Sequence, residues 1–97
     1  MPNGLAAERR VARDLVDKGY LVASRRHFGG AGDILAVAPD HDGLLVEVKA
    51  TGRGPFAGFP PEDRQAMGIA GWDYDLEPLL AWVMGSRIFY LPREDWP

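Results

Sequence analysis

Apolar residues recur along this chain at two different spacings. From Leu5 to Val16 they return every three or four positions, with Leu5, Ala12, Leu15 and Val16 on one side and Arg9, Arg10, Arg13 and Asp17 opposite, which is the period of an amphipathic helix. Asn3 can cap such a helix and Gly19 can stop it, so the pattern predicts a helix over Gly4–Lys18. The period then shortens. Tyr20–Ser24, Asp33–Ala38 and Leu44–Ala50 are short β-prone runs separated by a glycine-rich bend and by the turn composition Pro39–Gly43, a pattern that predicts a three-stranded meander. Thr51–Pro61 is glycine-rich and predicts a loop with two exposed aromatics, Phe56 and Phe59. Pro60 and Pro61 followed by Glu62 and Asp63 open a second helix, which Gly68 and Gly71 should weaken. Leu79–Met84 and Arg87–Leu91 are strands joined by Gly85-Ser86, a two-residue hairpin signal. The predicted order is αβββαββ over a single domain, residues 1–97.

Composition narrows the chemistry. With 46% hydrophobic and 26% charged residues in 97, there is material for one core. A domain of this size leaves much of its surface exposed, so self-association is expected. Cysteine is absent, which removes disulfides, thiolate nucleophiles and cysteine zinc sites; any metal must sit on oxygen or imidazole. No run approaches a membrane span and no apolar leader opens the sequence, so the expectation is a cytoplasmic protein without a membrane partner. The net charge of −3 is unevenly spread: residues 1–30 carry six Arg and Lys against three acids, and residues 54–97 carry three Arg against seven acids. The basic end is where phosphate would be met.

The third predicted strand carries the candidate chemistry. Strand alternation puts Leu45, Glu47 and Lys49 on one side and Val46 and Val48 on the other, so an acid and a base stand together in an otherwise apolar run. An ion pair on a half-exposed sheet face would account for these two alone. Asp33 changes the balance, because it opens the neighbouring strand of the meander directly after Gly29-Gly30-Ala31-Gly32. Two carboxylates offer the hard oxygen ligands that Mg²⁺ prefers, and an adjacent ammonium can steady charge growing on a phosphate. Glu8 adds an independent signal, since the helical period places it inside the apolar stripe, where glutamate needs either a buried cation such as Lys49 or a metal.

Taken together, Glu8 on the first helix, Gly32-Asp33 opening a strand and Glu47-Val48-Lys49 in the next strand resemble the PD-(D/E)xK nucleases, and within them the archaeal-type Holliday junction resolvases. The resemblance covers nearly the whole chain, including Gly4-Leu5-Ala6-Ala7-Glu8-Arg9, Lys18-Gly19-Tyr20 and Pro78-Leu79-Leu80-Ala81-Trp82-Val83. It implies an α/β restriction-endonuclease-like fold, a mixed central sheet flanked by helices. It implies an Mg²⁺-dependent endonuclease, with Mn²⁺ able to substitute, in which Asp33 and Glu47 bind the metal, Lys49 assists the attacking water and Glu8 supports the metal site. It further implies a homodimer that cuts branched or duplex DNA, with a four-way junction as the substrate most suggested. Arg9, Arg10, Arg25, Arg26, His27 and Arg53 are the candidate phosphate contacts. Other readings of the same residues are a repair, recombination or restriction nuclease on other DNA structures, and a non-catalytic DNA-binding module of the same fold.

Remaining signals are weaker. Asp40-His41-Asp42-Gly43 looks like the opening of a calcium loop, but position twelve is Thr51 where a bidentate glutamate is required, so it is read as a turn. His27 and His41 have no helical zinc spacing. Gln65 on the second helix is a possible accessory residue. Trp72, Tyr74, Trp82 and Trp96 could be core, dimer surface or stacking platforms.

Overall fold

A computed structural model describes residues 3–25 and 30–97. Helix α1 (Asn3–Asp17) is followed by strands β1 (Leu21–Ser24), β2 (Ile34–Ala38) and β3 (His41–Lys49), helix α2 (Pro61–Tyr74), strands β4 (Glu77–Met84) and β5 (Arg87–Pro92), and one 3-10 turn at Arg93–Asp95. The strands form one sheet in the order β1-β2-β3-β4-β5. Every neighbouring pair is antiparallel except β3 and β4, which are parallel. The parallel pair follows from connectivity: β3 and β4 are joined through α2, and a helical crossover returns the chain to the same end of the sheet. The result is a mixed α/β sheet with a helix on each face, in the predicted order.

Each face buries its own half of the alternating strands. Ala7, Val11 and Leu15 of α1 pack on Ile34, Ala36, Val46, Val48, Ala81 and Val83. On the other side Met67 of α2 and Phe59 close over Leu45 and Leu80. The helix α1 is anchored to the far strand as well, by Tyr90 Oη donating to Asp14 Oδ2 at 2.5 Å.

Several expectations are corrected. The buried arc of α1 runs through Ala7, Val11 and Leu15, whereas Leu5 and Val16 are 41% and 52% exposed. The stripe is therefore rotated from the one centred on Leu5. Glu8 consequently lies at the border of the packed arc and is half-buried. The turn expected over Pro39–Gly43 is tighter: Ala38 pairs with His41, and β3 begins there. Phe59 is not an exposed loop aromatic. It is fully buried in the α2-side core with Leu45, Met67 and Leu80, and meets the Trp96 ring edge-on at 5.0 Å. Phe56 is half-buried beneath the Arg64 guanidinium. Gly68 and Gly71 do not interrupt α2; both are buried within it.

Candidate active site

Strand register brings the two carboxylates together. Ile34 pairs with Val46 and Leu35 with Leu45, so the next position outward sets Asp33 opposite Glu47. Asp33 straddles that glutamate: its own N–H donates to the Val46 carbonyl at 2.7 Å, and its Oδ2 accepts the Val48 N–H at 2.8 Å. The carboxylate thus takes over a bond that the ladder would otherwise make, and its position is fixed to the strand that carries Glu47 and Lys49. Because Val46 and Val48 point to the α1 side, Glu47 and Lys49 point to the α2 side with Leu45.

On that side Lys49 Nζ lies 3.2 Å from Glu47 Oε2, with the glutamate side chain 16% exposed. Burial raises the Glu47 carboxyl above the ordinary glutamate value, and the neighbouring Asp33 raises it further; Lys49 pulls it down without cancelling the rise, and Asp63 adds a smaller upward push. The lysine alone does not neutralise the acids it serves, which is the electrostatic condition a hard cation relieves.

The acids face a cleft of about 320 Å³ whose lining includes Gly30, Gly32, Asp33, Glu47, Asp63 and Met67. Asp63 was read from sequence only as a first-turn acid of α2. A signal for more was available: Asp63 precedes the buried Met67 by four residues, so both stand on one helix face. Gln65 lies two residues from Asp63, is exposed, and is not part of the cleft lining.

The other candidates are placed as follows. Glu8 belongs to α1, which packs on the opposite face of the sheet from Glu47 and Lys49. Arg9 is exposed, and Arg10 is half-buried and donates to the Gly85 carbonyl at 2.7 Å. Arg25 is half-buried beside the glycine turn, donating from Nε to the Ala31 carbonyl at 3.2 Å. Arg53 is exposed in the loop after β3, where its N–H donates to Thr51 Oγ1. Arg26 and His27 lie outside the described residues. Among the described residues no three His, Cys, Asp or Glu side chains are gathered as a metal-binding group. The donor set at the cleft is therefore two facing carboxylates with a lysine, and it fits an ion such as Mg²⁺, which takes one or two protein carboxylates and leaves its other positions to water and substrate phosphate.

A five-stranded mixed sheet between two helices, with Asp33 just before β2 and Glu47 and Lys49 on β3, is the restriction-endonuclease-like α/β arrangement. No family model matches the sequence, and no curated protein sequence matches it. Among solved structures, the 1.6 Å structure of Hjc from Archaeoglobus fulgidus, a Holliday junction resolvase of an archaeal hyperthermophile, aligns with a TM-score of 0.83 at 18% identity, over 95% of this chain and 74% of that one. The chain has the fold of that resolvase. No helix among the described residues is long and apolar enough to cross a membrane.

Proposed function

We propose that the protein is a divalent-metal-dependent DNA endonuclease that resolves four-way junctions. The observation that carries this reading is Asp33 bracketing Glu47 through Val46 and Val48, with Lys49 on the same face. The junction as substrate comes from the similarity to the Archaeoglobus resolvase.

In the reaction, water displaces the 3′ or 5′ oxygen of a phosphodiester in line at phosphorus. Asp33 and Glu47 would hold the Mg²⁺, which Mn²⁺ can replace. When bound, such an ion concentrates positive charge at the scissile phosphate and makes a nearby water more acidic. The Lys49 ammonium, kept in place by Glu47, orients the attacking water and steadies charge on the non-bridging oxygens. Arg9, Arg10 and Arg53, with Arg26 and His27, would meet backbone phosphates and set the register of the duplex arms. A homodimer would present two such sites to the two strands that must be cut.

The test is nicking of a four-way junction and of linear duplex by wild type and Asp33→Ala, with and without Mg²⁺. The expected result is Mg²⁺-dependent cutting of the junction by wild type and a loss of about 10²-fold or more in the variant. Equal low cutting by both proteins would remove the enzyme reading and leave a DNA-binding module. Comparable cutting of junction and duplex would remove the resolvase and leave a nuclease of broader substrate.

A further inference from the structure

Arg25 does something at the site that its charge alone does not suggest. Its main chain and its side chain are both tied to the segment that delivers Asp33: the Arg25 N–H donates to the Asp33 carbonyl at 2.8 Å, and Arg25 Nε donates to the Ala31 carbonyl at 3.2 Å. The guanidinium also lies against Gly30. A Cβ on Gly30 would meet Arg25 Nη2, the movable end of its side chain, and the backbone there has φ +89°, a conformation that side-chain-bearing residues seldom take. Gly32 has φ +86° and presses on Leu45, leaving no room for a side chain either. Two demands for left-handed backbone, on either side of Ala31 and so close to Asp33, make a turn with little intrinsic preference for one shape, because glycine loses more conformational freedom on ordering than any other residue. A planar, charged donor set directly after β1 and bonded inside that turn supplies the missing constraint.

The geometry points to Arg25 as a positioning residue that acts through the Gly30–Gly32 turn to hold the Asp33 carboxylate against the Val48 amide, in a turn whose left-handed Gly30 has no intrinsic preference for that shape. This rests on the reading of Asp33 as a metal-holding residue, and it assigns to Arg25 a task distinct from neutralising a DNA phosphate. The two tasks separate cleanly. A phosphate contact is lost when the charge is lost and is indifferent to a methyl group on Gly30. A positioning contact is lost in either case, and it shows at Asp33 and not in DNA affinity.

The experiment uses Arg25→Ala, Arg25→Lys and Gly30→Ala in the full chain. Hydrogen exchange at the Val48 amide reports the bond to Asp33 Oδ2 directly and needs no catalysis; the amide of Leu80, in the middle of β4, serves as the internal reference for overall stability. Arg25→Ala and Gly30→Ala should each speed Val48 exchange relative to Leu80 by about tenfold or more. Both should raise the Mg²⁺ concentration for half-maximal cutting by about tenfold while leaving junction affinity, measured without Mg²⁺, within about twofold of wild type. Arg25→Lys, which keeps a donor and the charge, should recover part of both effects. An unchanged ratio of Val48 to Leu80 exchange in Arg25→Ala overturns the proposal, as does an Arg25→Ala variant that loses affinity for the junction with its Mg²⁺ requirement unaltered. If wild type does not cut at all, the nuclease reading falls while the exchange ratio still decides the role of Arg25.

Discussion

At Glu47 two requirements of a single side chain oppose each other. The carboxylate must be ionised to bind a cation, yet burial and Asp33 favour the protonated form. A carboxyl whose folded-state pKa lies above its unfolded value stabilises the fold when protonated, and that contribution disappears as pH rises through the shifted value. Ionised Glu47 is therefore a strain on the metal-free protein at neutral pH. Glu47→Gln should abolish cutting and at the same time raise the melting temperature at pH 7 without divalent ions, despite the loss of its 3.2 Å contact with Lys49. The gap between variant and wild type should shrink as pH is lowered, since both side chains are then neutral. Calorimetric scans at pH 4, 5.5 and 7 check this; a lower melting temperature for the variant at pH 7 would mean that Lys49 outweighs burial and Asp33. The residues behind this trade were visible in the sequence as charges in an apolar run, because strand alternation is a local rule. Which acids meet them was only half visible. Asp33 follows from meander register, whereas Asp63 arrives from a helix whose rotation over the sheet is set by packing.

Helix α2 shows how an element can contradict the propensities of its own residues. Gly68 and Gly71 are poor helix formers, and each would cost roughly 1 kcal/mol relative to alanine in an exposed helix. Their surroundings differ. A Cβ on Gly71 would meet the Leu76 carbonyl oxygen and Pro78 Cγ, both at 2.7 Å and both held by the backbone entering β4. A Cβ on Gly68 would meet only the Arg93 guanidinium, the far end of a flexible side chain. Gly71→Ala should therefore destabilise by about 1–3 kcal/mol through overpacking, while Gly68→Ala should be neutral or stabilising by up to about 1 kcal/mol. Urea midpoints of the two variants test the contrast, and a Gly71→Ala variant as stable as wild type would show that α2 can shift away from β4. The helix and all five strands were legible from spacing and turn chemistry. Phe59 was not, since an aromatic in a glycine-rich loop reads as exposed until the residues that pack around it are known.

For the whole molecule, the proposed reading makes the charge asymmetry a functional matter. Net charge is −3, so DNA must be met by a local basic surface and not by the overall field. Arg9, exposed on α1, is offered as one phosphate contact. Junction affinity should fall linearly with salt on logarithmic axes, and Arg9→Ala should reduce the slope by about 0.9 while weakening junction and duplex to the same degree. A selective loss of junction binding would instead make Arg9 a reader of branch geometry. The sequence by itself determined the order of elements, the two apolar periods that define which faces are covered, and the acid and lysine that share a side of β3, because all of these follow from backbone geometry over a few residues. Only the tertiary structure decided that Asp33 is hydrogen-bonded across Glu47, that Arg25 is turned inward to its own chain, that Glu8 sits at the border of its helix's packed arc, and that Asp63 joins the cleft. Those outcomes depend on strand register and helix rotation, which are fixed by how side chains far apart in the chain fill a common volume, and no local rule contains that information.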